Sequence, residues 1–367
     1  LKKIFFRFQK GDKMKQINVA VIGTGWCGGI RAETAHHNPL VKNLYIAETN
    51  EIRLKEMMDK VKPTLATTDY RELLKIAEID AVMISATPET SHFPIAKDSL
   101  LAGKDVFLEK PIAIALEEAD ELIAIAKQKK LKFTIGYSQR FNPKYAYVKK
   151  SINDGTIGRP VSILVSRHIT RSLGKKISGR VKLSPAAMES THDLDFVFWC
   201  LEPAKPVKVY SQVNYGAMRE STGGDIPDTQ WVMVTMDSGL TFVVGGGWSL
   251  PPGYPNFSST WIEFIGSEGA LLVDDSHKDV VLNTMKNGMQ LPMSTMPGEQ
   301  VDHVYAGPMA YETIHFIEAV ALDRDVLVTG EQARQVMEVY MAADLSAETG
   351  EPVYLPISEE KLRAVNG

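Results

Sequence analysis

The sequence predicts an α/β chain: a doubly wound parallel sheet followed by an α+β domain built on a large, mainly antiparallel, open-faced sheet. Three observations carry this expectation. From Ile17 short β-branched runs alternate with helical stretches; a glycine-rich turn follows the first run; and after Tyr137 longer alternating runs take over, with few helices among them.

In the first half the expected strands are Asn18–Ile22, Asn43–Ala47, Leu65–Thr67, Ala81–Ser85, Asp105–Leu108 and Lys132–Ile135. Helices are expected between them at Ile52–Lys60, Tyr70–Ile76, Phe93–Ala102 and Leu116–Lys129, the last with apolar residues at Leu116, Ala119, Leu122, Ile123 and Ala126. Six strands joined by such helices make a complete dinucleotide-binding sheet. In the second half Val161–Ser166, Val207–Val213, Thr229–Met236, Leu240–Gly245 and Trp261–Ile265 read as strands, with turns at Asp237-Ser238-Gly239 and Gly266-Ser267-Glu268-Gly269. Helices are expected there at Pro185–Leu201, Tyr311–Leu322 and Gly330–Leu345. The domain boundaries follow as 14–136 and 137–367. Residues 1–13 read as a translated leader, because Lys10-Gly11-Asp12-Lys13 before Met14 can be encoded as a bacterial ribosome-binding site and start codon.

The 367 residues are 44% hydrophobic and 23% charged, ordinary globular composition that allows a large core without staples. A formal net charge of −4 and the lack of any long like-charge block argue against a nucleic-acid partner or a membrane-surface helix. Cys27 and Cys200 fall in no metal-ligand spacing, so a metal-free site and a cytoplasmic location are expected. No apolar run is long enough to span a bilayer.

Gly23-Thr24-Gly25-Trp26-Cys27-Gly28 ends the first strand and opens a helix, the context in which such a motif cradles a pyrophosphate. Glu48 ends the second strand about 20 residues further on, where a carboxylate accepts ribose hydroxyls and repels a 2′-phosphate. NAD is therefore the expected cofactor, with NADP disfavoured, although Arg53 lies nearby. Ser85-Ala86-Thr87-Pro88 with His92, and Glu109-Lys110-Pro111, follow the fourth and fifth strands at the edge where ligands bind such sheets.

These motifs, with Arg140-Phe141-Asn142-Pro143, Gly155-Thr156-Ile157-Gly158, His192-Asp193-Leu194-Asp195 and Gly266-Ser267-Glu268-Gly269 in this order, resemble the Gfo/Idh/MocA family of glucose–fructose oxidoreductase and inositol dehydrogenase. The resemblance runs from Met14 through essentially the whole chain. It implies a Rossmann domain, an NAD-dependent oxidoreductase acting on a hydroxyl carbon of a sugar or polyol, and a homodimer or homotetramer formed through the second-domain sheet. It further implies that Lys110 hydrogen-bonds the reacting oxygen, a task suited to an ammonium, and that His192 exchanges the hydroxyl proton, a task suited to imidazole.

The family often carries an Asp or Glu four residues before this histidine, where this chain has Met188. Glu189 and Asp195, each three residues from His192, are the candidates to orient it. Cofactor contacts are expected from Gly23, Thr24, Gly25, Trp26, Cys27, Gly28, Glu48, Ala86, Thr87, Pro88, His92, Glu109, Lys110, Gln139 and Arg140. Substrate contacts are expected from Lys110, Tyr137, Arg167, His168, Arg171, His192 and Trp248, arginine being suited to anions by its planar fork. Two rival readings stay open: a family glycosidase that retains NAD and shows no net change in cofactor absorbance, and a cofactor-sensing regulator without turnover.

Overall fold

The structure, a computed structural model of the chain, describes residues 15–178, 183–254, 258–274, 280–290, 299–302 and 304–358. The proposed leader, Met14 and Pro255 lie outside these residues. Strands β1 (Ile17–Ile22), β2 (Val41–Ala47), β3 (Leu65–Thr67), β4 (Ala81–Ile84), β5 (Asp105–Leu108) and β6 (Phe133–Ile135) form one parallel sheet in the order β3-β2-β1-β4-β5-β6. This is the doubly wound order whose direction reverses between β1 and β4, and a ligand crevice opens there above the carboxyl ends of the strands. Both faces are covered, so β4 reads as an unbroken apolar run, Ala81-Val82-Met83-Ile84, all buried.

The crossovers are α1 (Trp26–His36), α2 (Glu51–Val61), α3 (Tyr70–Leu74), α4 (His92–Leu101) and α5 (Leu116–Lys129). Local chemistry starts and stops them. The Asn50 side chain accepts from the N–H groups of Ile52 and Arg53 to open α2, and Asp69 caps α3 in the same way. By contrast α1 starts at Gly25 with no side-chain cap, which leaves its first amides facing the crevice.

The second half adds α6 (Pro143–Asn153), with Asn142 as cap and proline in its first turn, and then β7 (Pro160–Thr170) and α7 (Arg171–Ser178). A π-helical turn over Ala186–Ser190 runs directly into α8 (Thr191–Leu201), so the single helix expected over Pro185–Leu201 has two geometries. Strands β8 (Pro206–Asn214), β9 (Thr229–Met236), β10 (Thr241–Leu250), β11 (Ser258–Gly266) and β12 (Ala270–Asp274) follow β7, with the short helix α9 (Ala217–Thr222) between β8 and β9. They pair in the order β12-β11-β7-β10-β9-β8, closed at the last edge by Val353–Tyr354. All pairings are antiparallel except β10 with β7.

One face of this sheet buries Ile163, Val165, Val209, Val232, Val234, Phe242, Val244, Ile262 and Phe264 in a core shared with α8 and with α11 (Gly330–Thr349). A capping box of Thr329 and Gln332 opens α11, and Gly350 in the left-handed conformation closes it. The other face is open, and Tyr210, Met233, Trp261 and Leu272 lie on it exposed.

The helix α10 (Pro308–Ala321) follows this sheet in sequence but packs on the first one: Phe316, Ile317, Val320 and Ala321 share a core with β1, β2 and α1. The packing boundary therefore departs from the 136/137 boundary read from sequence, and α10 crosses back to cover the face of the sheet beside α1.

Candidate active site

The glycine turn is built by close contact. Gly23 has φ +79° and a Cβ there would stand 2.8 Å from the backbone of Ala86, while a Cβ on Gly28 would stand 1.9 Å from the Gly23 carbonyl oxygen. Around Gly25 a Cβ would meet nothing within 4 Å, so this is the open side of the turn. Open space, an uncapped helix start and tight backbone on the opposite side are what a pyrophosphate needs, and the residues present fit NAD. Trp26, 57% exposed, stands at the mouth of the crevice, and Ala86, Thr87 and Pro88 form its opposite lip, the last two exposed.

Glu48 is half-buried at the end of β2. Its Oε2 accepts from the Thr24 N–H (2.7 Å) and hydroxyl (3.0 Å), and its Oε1 from the Asn50 N–H (2.9 Å). A carboxylate offers about four acceptor positions, so Glu48 braces the turn and keeps capacity for a ribose hydroxyl. Arg53 donates to the Thr24 carbonyl at 3.2 Å. Cys27 faces inward, and burial, with Glu109 adding to it, pushes its thiol up to about 12.

Lys110 leaves the end of β5 and its ammonium donates to the Met188 carbonyl oxygen in the π turn at 2.5 Å. That contact brings Lys110 to within one helical turn of His192. The imidazole is 8% exposed, and among the described residues its Nδ1 has no hydrogen-bond partner. Burial, together with the charges of Lys110 and Arg167, holds its pKa well below the usual histidine value. Tyr137 stands edge-on to this ring at 5.8 Å and hydrogen-bonds Thr191 through its hydroxyl at 2.8 Å. The Lys110 ammonium is thus close enough to His192 for its charge to act on the imidazole, and of such a pair one can exchange a proton and the other can hold an oxygen.

Glu189 is buried and accepts from the indole N–H of the buried Trp248 at 3.1 Å. Its backbone oxygen accepts from Arg167. These two contacts place the carboxylate one residue after Met188, in the wall that contains His192.

Other expected site residues have different tasks. Asp195 does not orient His192: it is fully buried in a bidentate pair with Arg140 (2.8 and 2.6 Å). Arg140 completes this knot by donating to the Leu327 carbonyl and Gln332 (both 3.0 Å), so four of its five N–H groups are committed inside the protein. Gln139 beside it is 1% exposed, inside the core. Arg167 is likewise no free anion receptor, being held by Asp193 at 2.9 Å beneath α8.

His92 is buried with Nδ1 2.7 Å from the Pro111 carbonyl and Nε2 3.1 Å from that of Ala86, a strut between the two loops. His168 falls on the open face of the sheet, against Ser249 (3.0 Å) and Trp231, because side chains alternate along a strand and its neighbour Arg167 points to α8. Arg171 donates to the Ser249 carbonyl at 3.2 Å. Sequence reasoning singled out neither Arg31 nor Glu312, buried ionisable residues 281 positions apart that meet at 2.6 Å. No periodicity or short motif signals such a pair. Among the described residues, no group of three or more His, Cys, Asp or Glu is placed to hold a metal ion.

Comparison with known proteins accords with this geometry. Residues 17–137 match the model of an oxidoreductase family with an NAD-binding Rossmann fold, and residues 149–355 match that family's C-terminal alpha/beta domain. The chain is 26% identical over 347 residues to scyllo-inositol 2-dehydrogenase (NAD(+)) of Bacillus subtilis, covering 93% of this chain and 97% of that one. It is 25% identical over 352 residues to the uncharacterized oxidoreductase YrbE of the same organism, covering 94% and 98%. The crystal structure of scyllo-inositol dehydrogenase from Lactobacillus casei, with bound NAD(H) and scyllo-inositol, has the same fold: TM-score 0.79, 22% identity, 93% and 99% coverage. With both family domains matched in order around this crevice, the chain belongs to the Gfo/Idh/MocA oxidoreductases and is an NAD-dependent enzyme.

Proposed function

We propose that this enzyme interconverts a secondary alcohol and a ketone on a cyclic polyol or sugar, with Lys110 holding the reacting oxygen and His192 exchanging its proton. The observation that carries the reading is the convergence of the Lys110 ammonium, the neutral His192 and the glycine turn at one end of the parallel sheet. Relatives named as inositol dehydrogenases support the substrate class. When bound, NAD supplies the hydride acceptor for oxidation and, reduced, the donor for the reverse reaction. Lys110 polarises the carbon–oxygen bond, His192 takes the hydroxyl proton on oxidation and returns it on reduction, and buried Glu189, anchored by Trp248, stands in for the acid absent at position 188. A screen of inositols, sugars and nucleotide sugars with NAD, read by reduced-nicotinamide absorbance and product mass, tests this. A keto product with matching absorbance is expected. Aglycone release without net absorbance change would overturn it in favour of the glycosidase reading.

Glu48 sets the cofactor preference in this reading. Glu48→Ala is expected to weaken NAD binding by on the order of tenfold, since a hydrogen bond to a charged group is lost, and to narrow its advantage over NADP. Titration calorimetry with both cofactors measures this. Equal affinities in the parent enzyme would contradict it.

The open sheet face is assigned to a homo-oligomer interface. Tyr210, Met233, Val243, Leu164 and Leu272 lie in one row across paired strands, interrupted only by Glu263, and an apolar row of this extent is a contact surface. Light scattering at micromolar concentration is expected to show a dimer or tetramer, and Met233→Asp to dissociate it; a monomeric parent would refute the assignment. A cytoplasmic location belongs to the same reading, since Cys27 and Cys200 are free thiols.

A further inference from the structure

One buried charge cluster lies behind the lysine loop. Arg31, on α1 just beyond the glycine turn, is 0% exposed and directs one nitrogen, Nη2, at two carboxylates: Glu109 Oε1 at 2.7 Å and Glu312 Oε1 at 2.6 Å. Its guanidinium also lies over the Phe107 ring, 4.4 Å from the centroid. The second oxygen of Glu109 accepts the backbone N–H of Lys110 at 3.1 Å. On the other side of Lys110, the Pro111 carbonyl is tied to His92. The lysine thus sits between two anchors, and one of them depends on a carboxylate that Arg31 holds.

Charge within the cluster supports the same division. Two carboxylates share one guanidinium, and full ionisation would leave an uncompensated buried negative charge. Burial, opposed by Arg31 and reinforced by Glu109, pushes Glu312 up to about 8. Cys27, the other ionisable group facing the cluster, is also pushed up, so its thiol adds no charge near neutrality. Of the two carboxylates on Arg31, Glu312 is the more deeply buried, 2% against 14% exposed for Glu109. Among the described residues, the Nε and Nη1 of Arg31 and the Oε2 of Glu312 have no hydrogen-bond partner. The cluster rests on these few contacts.

We propose that Arg31, acting through Glu109, is the positioning residue that sets where the Lys110 ammonium sits, and that Glu312 on α10 holds Arg31 in place from the other side. The catalytic consequence rests on the assignment of Lys110 in the proposed function; the positioning itself does not. Hydrogen–deuterium exchange of the full chain separates the two. In Arg31→Met, a peptide covering residues 107–113 is expected to exchange at least about tenfold faster, while peptides from β9 and α11 keep parent rates. Arg31→Lys, which retains a cation, is expected to recover part of that protection, and Glu109→Gln to loosen the same peptide without removing Arg31.

NADH affinity is expected to stay within about threefold of the parent in Arg31→Met and Arg31→Lys, and kcat with the polyol found by the screen to fall by at least about 30-fold in Arg31→Met. Parent-like exchange of 107–113 in folded Arg31→Met would overturn the proposal. If that variant does not fold, parent-like exchange in Glu109→Gln overturns it. Faster exchange with unchanged kcat would uphold the positioning and instead refute the catalytic assignment of Lys110.

Discussion

Replacing Lys110 by methionine is expected to lower kcat by at least about 10³-fold while NAD affinity remains close to that of the parent. The two effects separate because different parts of the structure carry them. Cofactor affinity is assigned to the turn Gly23–Gly28, the uncapped start of α1 and Glu48, whereas the Lys110 ammonium is bonded to the Met188 carbonyl. Turnover is assigned, in the proposed function, to the ammonium held at the Met188 carbonyl, one turn before His192. Methionine has similar length and no donor, so it fills the space without holding an oxygen. Loss of the Lys110 charge also removes one of the influences that depress the His192 pKa, leaving burial and Arg167. The measurement is steady-state kinetics beside calorimetric NAD titration. A Lys110→Met enzyme within about tenfold of parent kcat would remove Lys110 from the chemistry.

Much of the fold could be read in advance because its signals are local. The runs Leu65–Thr67, Asp105–Leu108, Leu116–Lys129 and Thr229–Met236 have the bounds expected from periodicity alone. The glycine turn and the strand-end motifs were equally legible, since each performs its task within a few residues. The elements that escaped were those decided elsewhere in the chain. Helix α7 follows β7 at the point where β7 was expected to have ended already, and Trp248 fills the space against which Gly174 packs. The π turn before α8 leaves no mark in hydrophobic spacing, because it shifts register by one residue within an apolar stretch.

The roles of the arginines were the least legible part of the site. Arg140 and Arg167 follow strand ends or lie near them, which reads equally well as an anion receptor and as one half of a buried pair. What decides is the presence of Asp195 and Asp193 on α8, 55 and 26 residues away respectively, on the face of the helix turned toward each arginine. A buried guanidinium requires a carboxylate partner, and α8 supplies one to each. His192, which precedes both aspartates in the helix, is consequently oriented by neither of them.

The expected consequence for His192→Ala is a loss of kcat on the order of 10²–10⁴-fold, the range of general acid–base assistance, with folding retained. The pH dependence gives a sharper test. A histidine whose folded pKa is depressed contributes stability above its unfolded value, near 6.5, and loses it as pH falls through the folded value. The parent should therefore lose stability on acidification below about pH 6.5, and His192→Ala should lack that component. Its residual oxidation rate should rise with pH as solvent takes over proton removal. A His192→Ala enzyme with parent kcat and parent acid lability would exclude the residue from both roles. The flanking carboxylates separate in the same experiment. Asp195→Asn breaks the bidentate pair with Arg140 and leaves a buried guanidinium short of its counterion, so it should cost about 3–5 kcal/mol of stability and affect turnover only through folding. Glu189→Gln keeps an oxygen for the Trp248 indole but removes the charge, so kcat should fall with little change in melting temperature. Loss of turnover in a stable Asp195→Asn enzyme would reverse that assignment.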